Sequence, residues 1–111
     1  MKLILALLLT TLTASAALPP SQVDRYVDAI KRVENSPRYP YGIKSVKAKN
    51  ASEARQVCRN TVVNNYRRWE AAGKPGEFVN FLADRYCPPS ADPAGNANWK
   101  RNMKAILKGR P

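Results

Sequence analysis

The chain has 111 residues, 19 of them Lys or Arg and 8 Asp or Glu, giving a formal charge of +11, with two cysteines and no histidine. This length allows one domain with one modest core, the charge calls for an anionic partner, and the missing histidine excludes Ser-His-Asp and Cys-His catalysis. Two widely separated cysteines without histidine also make a poor metal-ligand set, so no metal or cofactor is expected, and any catalysis must run on carboxylates, Tyr, Lys or hydroxyls.

Lys2, the apolar run 3–9 and the small-residue site Ala14-Ser15-Ala16 read as a secretory signal peptide over 1–16. Its apolar part is shorter than the roughly 20 residues that span a bilayer, and no second such segment follows. The expectation is a monomeric mature domain over 17–111, secreted or periplasmic, without a transmembrane segment. Removing Lys2 takes the formal charge from +11 to +10. An exported chain without an aromatic-basic RNA motif meets anionic wall polymers and lipids rather than nucleic acid. In an oxidising compartment Cys58 and Cys87 fit a disulfide, which would close a loop of about 30 residues and contribute roughly 3 to 4 kcal/mol in the chain-entropy account.

A first helix is predicted over 22–34, opened by a capping-box variant, Ser21-Gln22-Val23-Asp24. Val23, Val27 and Ile30 form one apolar stripe, and Glu34, eleven residues after Val23, returns to within about 20° of it. Asn35-Ser36-Pro37 then stops the helix, because Pro37 cannot donate a hydrogen bond and disfavours helical geometry in Ser36. A carboxyl placed there meets the negative end of the macrodipole and partial burial, both of which favour the neutral form, as a general acid requires. The competing reading has Glu34 bordering the stripe and pairing with Arg38 or with a cation from another helix.

Pro37, Pro40 and Gly42 exclude a continuous helix over 35–50. Tyr39-Pro40-Tyr41-Gly42 forms a tight turn, and 43–47 is expected as a short extended piece or an irregular β-hairpin. Tyr39 and Tyr41 beside the acid could wall a sugar subsite, since an aromatic face packs on the C–H face of a pyranose, or they could simply cover the helix end.

The second helix, 51–72, is the strongest periodic signal, with Ala54, Val57, Cys58, Val62, Tyr66 and Trp69 on one face. Asn50 and Glu53 cap its start, and Gly73 ends it. Arg55, Arg59 and Arg67 lie opposite, on a face expected to be solvated. Pro75-Gly76-Glu77 opens a third helix with Phe78, Phe81, Leu82 and Tyr86 buried, which stops at Cys87-Pro88-Pro89. After a loop over 90–96, a last helix starts near Ala97 and buries Trp99, Met103, Ile106 and Leu107. Its outer side bears Lys100, Arg101, Lys104 and Lys108, a basic patch able to hold an anionic polymer or merely to confer solubility.

The order of these features resembles the lysozyme-like superfamily, and within it the lytic-transglycosylase-like peptidoglycan-cleaving domains. The resemblance is carried by the helix ending in Glu (A-I-K-R-V-E-N-S, 29–36), the turn-rich Y-P-Y-G-I (39–43), F-V-N-F-L-A-D-R-Y (78–86) and N-A-N-W-K-R-N-M (96–103). It spans nearly the whole mature chain through short motifs, and the Gly-Leu-Met-Gln type box of many transglycosylases is replaced by Tyr-Gly-Ile-Lys-Ser. It implies a mainly α, small lysozyme-like domain with a short irregular β/turn excursion after the first helix. It also implies Glu34 as the acid, Tyr41, Gly42 and Ile43 on the cleft wall, Tyr86 facing the acid, and Asn98 or Trp99 lining the far side.

The acid inventory bears on the reaction type. Most glycoside hydrolases use two carboxylates about 5 to 9 Å apart, whereas Glu53 is taken as a cap and Asp24 and Asp28 lie two to three turns back along Glu34's own helix. A single acid suits a lytic transglycosylase, in which the N-acetylmuramic acid 6-hydroxyl attacks intramolecularly. The alternatives are a non-catalytic cationic module that binds anionic wall polymer or a wall enzyme, and a membrane-active cationic protein.

Overall fold

The computed structural model describes residues 18–37, 39–42 and 48–109. The expected signal peptide and the expected extended piece over 43–47 lie outside these residues. Among the described residues the chain forms four helices and no strand: α1 (Pro20–Glu34), α2 (Ala51–Ala71), α3 (Phe78–Tyr86) and α4 (Pro93–Leu107). The chain is mainly helical, as its periodicity predicts.

Each helix boundary has a local cause. α1 starts at Pro20, with Pro19 as its N-cap and no side-chain capping bond. A proline in the first turn has its φ already set and lacks an N–H that would otherwise go unpaired. The predicted capping box is therefore not formed, and Asp24 instead accepts from Arg55 at 3.2 Å and from Arg59. Two guanidinium donors across an interhelical gap outcompete one backbone N–H for a carboxylate. Arg55 also donates to Asp28 at 2.8 Å, so these arginines tie α2 to α1 rather than being merely solvated. The α2 cap is as expected: Asn50 Oδ1 accepts from Glu53 N at 2.9 Å, while Glu53 Oε1 accepts from Lys49 N at 3.2 Å.

α4 begins four residues earlier than its apolar pattern indicates. Asp92 caps it by accepting from Gly95 N at 2.9 Å, and Pro93 follows in the first turn; such a cap contributes about 1 kcal/mol. The extra turn places Asn96, seven residues before Met103, on the buried face. Its amide donates to Asp84 Oδ1 at 3.0 Å and to the Cys87 carbonyl at 2.8 Å, fastening the end of α3 to the start of α4.

α1 packs on α2 and α4, and α3 also packs on α2 and α4, so the helices close a ring in chain order. Val23, Val27, Ala29 and Ile30 of α1 meet Cys58 and Val62 of α2, Val79, Leu82 and Ala83 of α3, and Trp99 and Met103 of α4 in the core. Fully burying one such aliphatic side chain contributes about 1.5 to 3 kcal/mol. Across the ring at the N-terminal ends of α1 and α3, Tyr26 and Tyr66 both set their edges against Phe78, with centroids 5.2 and 5.1 Å away, and Trp69 lies 5.6 Å from the same ring. This aromatic cluster closes one pole of the bundle. The ends of α1 and α3, with Glu34 and Tyr86, form the other.

The expected Cys58–Cys87 disulfide is not formed, and both thiols are free. Cys58 points into the core with Sγ 3.5 Å from the Tyr86 hydroxyl. Cys87 lies past the end of α3 against Gly95, where an added Cβ would stand 3.1 Å from its Sγ. Sequence separation and compartment suggested the bridge, but a bridge needs Cβ atoms within about 4.5 Å, and the core assigns the two thiols to different neighbours. We expect the melting temperature to be the same with and without reductant, with two thiols alkylated on unfolding. A fall of several degrees on reduction would refute the free-thiol arrangement.

Candidate functional site

Glu34 is the last residue of α1, and the chain leaves the helix abruptly after it. Asn35 adopts the left-handed conformation with φ 42° while its N–H still closes on the Lys31 carbonyl at 3.0 Å. Asparagine tolerates that geometry better than most residues. Ser36 Oγ accepts from Tyr39 N at 3.0 Å, and Gly42 N donates to the Tyr39 carbonyl at 2.8 Å. These two bonds fold the turn back until Gly42, at φ 71°, lies against the Glu34 side chain. A Cβ at Gly42 would stand 2.6 Å from Glu34 Cδ and 2.7 Å from Oε1, so only glycine permits this approach.

Across the bundle, Trp99 Nε1 of α4 donates to Glu34 Oε2 at 2.8 Å. The Trp99 ring stacks on Tyr86 of α3, with centroids 5.3 Å apart and planes 16° from parallel, and the Tyr86 hydroxyl meets Cys58 of α2. Each of the four helices thus contributes one side chain to a single run: Glu34, Trp99, Tyr86, Cys58. Burial pushes the Cys58 thiol up to about 11, against a smaller lowering by the Tyr86 hydroxyl. Burial, and then Cys58, push the Tyr86 phenol well above its usual range. Both groups are therefore neutral at physiological pH, and the thiol is not a nucleophile.

The predicted site residues divide between this run and other places. Gly42, Tyr86 and Trp99 gather around Glu34. Trp99 is only 6% exposed, so it holds the carboxyl rather than lining a cleft wall. Tyr41 is 4% exposed and turned inward, with Lys31 Nζ 5.9 Å from its ring centroid, and so offers no open sugar platform. The turn that brings Gly42 onto Glu34 buries the residue before it. Tyr39 is half-buried, Asn98 is exposed and accepts from Arg101, and Ile43 lies outside the described residues. The basic face of α4 is partly neutralised, because Lys100 lies 3.4 Å from Asp84 and Lys104 lies 3.3 Å from Glu77.

Glu34 makes no ion pair among the described residues; the expected alternative partner, Arg38, lies outside them. Most of the other acids are already committed. Asp24 and Asp28 hold Arg55 and Arg59, Glu77 and Asp84 hold lysines of α4, and Glu53 and Asp92 serve helix starts. The sequence placed Cys58 on the apolar face of the second helix and in a disulfide, not against Tyr86, and gave Asn96 no role. The spacing Asn96, Trp99, Met103 carried the signal for the latter.

Comparison with protein families, with curated proteins and with solved structures finds no match. The function therefore has to be argued from the arrangement itself.

Two outcomes follow from the geometry. Gly42→Ala should lower stability by about 1 to 3 kcal/mol through positive-φ strain and the clash with the carboxyl. Glu34→Ala in the same protein should return part of that loss, because it removes the atoms the new methyl meets. Strictly additive losses in a denaturation double-mutant cycle would refute the contact. The second outcome concerns alkaline pH. The Cys58 thiol has an ordinary value of 9.0 and a folded value of about 11, so above about pH 9 the unfolded state loses a proton that the folded state keeps. Stability should fall as pH rises from about 9 to 11, and Cys58→Ala should flatten that slope in urea midpoints.

Proposed function

We propose that this chain cleaves glycosidic bonds of peptidoglycan as a lytic-transglycosylase-like enzyme, with Glu34 as the single acid and base. The observation that carries the reading is the hydrogen bond from Trp99 Nε1 to Glu34 Oε2 at 2.8 Å. In a chain with 19 Lys and Arg, a purely structural carboxyl has cations in abundance to pair with. This one is instead held by a neutral donor, at a helix end, against a glycine. The commitment of six other acids to ion pairs and helix starts is consistent with chemistry that needs one carboxyl.

In this mechanism the Glu34 carboxyl gives its proton to the glycosidic oxygen as the bond from that oxygen to the anomeric carbon breaks. The resulting carboxylate takes the proton of the N-acetylmuramic acid 6-hydroxyl while that oxygen bonds to the anomeric carbon. No water is consumed, the products are an anhydro-sugar end and a free hydroxyl, and Glu34 is regenerated. An indole N–H on Oε2 fixes the carboxyl plane and leaves Oε1 for proton transfer. The positive surface would attract the carboxylates of the wall peptides.

Glu34→Gln retains the shape but carries no proton to deliver, so release of soluble fragments from purified peptidoglycan should fall by about 10²-fold or more with the melting temperature little changed. Mass analysis of the wild-type products should show anhydro-muropeptides. Reducing-end sugars would replace the transglycosylase by a hydrolase. An equally active Glu34→Gln variant, or a wild-type protein that releases nothing, would overturn the enzymatic reading in favour of a cationic module that binds wall polymer without cleaving it.

A further inference from the structure

Two shallow depressions flank the exit of α1 and share Asn35 as their common wall. One, of about 300 Å³, is lined by Arg32, Val33, Asn35, Asn102, Ala105 and Ile106. The other, of about 260 Å³, is lined by Lys31, Asn35, Ser36, Pro37 and Pro40. Lys31 and Arg32 are consecutive helical residues, about 100° apart around the axis, which sends one cation to each side of the helix end. Both volumes lie near the lower bound of about 300 Å³ for ligand sites, a size for one ring unit each.

The larger depression has the more specific chemistry. Arg32 is exposed and has no acid partner among the described residues, in contrast to Arg55 and Arg59. Asn35 and Asn102 are exposed, and neither side-chain amide makes a hydrogen bond among the described residues. Val33, Ala105 and Ile106 provide an apolar floor beside them. A guanidinium presents a planar fork to a carboxylate, an amide side chain can both donate to and accept from an acylamino group, and an apolar floor suits the acyl methyl. These three elements together match one kind of ligand, an N-acylated sugar bearing a carboxylate-containing substituent.

We propose that the depression formed by Arg32, Asn35 and Asn102 binds an N-acylated sugar unit of the wall glycan through the carboxylate of its substituent, with the Lys31 side taking the next unit of the same strand. This assignment rests on peptidoglycan being the partner, and it seats the two units on either side of Asn35, the residue after Glu34; Glu34 itself lines neither depression. The Lys31 side is the less selective of the two, since its ammonium lies over the Tyr41 ring and two of its four other lining residues are prolines.

The test is an NMR titration of the wild-type protein with an N-acetylmuramyl peptide, which has no glycosidic bond to cut, and with the same compound after its carboxylates are converted to carboxamides. The Asn35 and Asn102 side-chain amides should shift with the first ligand, and conversion to carboxamide should weaken binding by about tenfold, the scale of one charge-assisted hydrogen bond. Arg32→Gln should weaken the carboxylate form equally and the carboxamide form little. Arg67→Gln, on the exposed outer face of α2, should alter either by less than about twofold at matched ionic strength. No shift at Asn35 and Asn102, or equal losses in Arg32→Gln and Arg67→Gln, would overturn the site. Failure here would leave Glu34-dependent cleavage standing, whereas loss of the cleavage reading alone would leave the Arg32-dependent discrimination intact.

Discussion

The bond between Trp99 and Glu34 is the constraint on which this pole of the bundle depends. An indole N–H can only donate, and an unpartnered polar group in a dry interior costs about 1 to 3 kcal/mol. The end of α1 therefore has to arrive where α4 presents its donor. Once it does, Trp99 can lie flat on Tyr86, Tyr86 can cover Cys58, and one unit ties the four helices together at this end. At the opposite pole the polar links lie at the surface, where Arg25 donates to the Leu107 carbonyl and Lys104 lies 3.3 Å from Glu77. In its interior Trp69 Nε1 is buried without a hydrogen-bond partner among the described residues, and the cluster around Phe78 is held by ring contacts worth about 0.5 to 1.5 kcal/mol each beyond their buried area. The polar contact made at the pole where the chain leaves α1 differs in having a buried donor, since Trp99 is only 6% exposed.

Charge explains why the carboxyl is held in this way. Most acids sit where a cation or an unpaired backbone N–H is within reach: Arg55 bridges Asp24 and Asp28, Lys100 and Lys104 reach across to α3 and its N-cap, and Glu53 and Asp92 finish helix starts. The ion pairs are half-exposed and individually weak, about 0 to 1 kcal/mol, yet they engage four of the acids other than Glu34. They also reduce the excess positive charge on α4. Arg32, by contrast, has no acid partner among the described residues beside the α1 exit.

Much of the fold was legible because it follows from helical phase. The stripe of Val23, Val27 and Ile30, the Asn50 cap, the stop at Asn35 and the buried faces of α3 and α4 all come from local rules that tertiary context did not override. The errors arose where a side chain had a better partner at long range. Asp24 abandoned its capping box for two arginines, and Asp92 capped a helix that its Pro- and Gly-containing start had disguised as a loop. Cys58 and Cys87 went to separate neighbours because cysteine spacing says nothing about Cβ direction. In the site, phase alone placed Glu34 on the buried face and Trp99 on the face opposite. It could not show that the two would touch, nor that Gly42 would be folded back onto the carboxyl, because both depend on how α1, α4 and the turn meet in space.

On the proposed reading, the same geometry assigns different work to the two carboxyl oxygens. Oε2 accepts the Trp99 N–H whether the group is ionised or carries its proton on Oε1, so the anchor survives a cycle in which Glu34 gives up a proton and recovers it. Oε1 faces Gly42, and the absence of a side chain there removes the nearest atom that would cover it. Rotation of the carboxyl out of its plane, which would scramble the two roles, would break the indole bond. A single acid that must act first as donor and then as acceptor needs this kind of fixed plane, because no second carboxylate would correct its orientation. The energetic demand is modest, one hydrogen bond of about 1 to 2 kcal/mol, and it is supplied by the contact that also closes the fold.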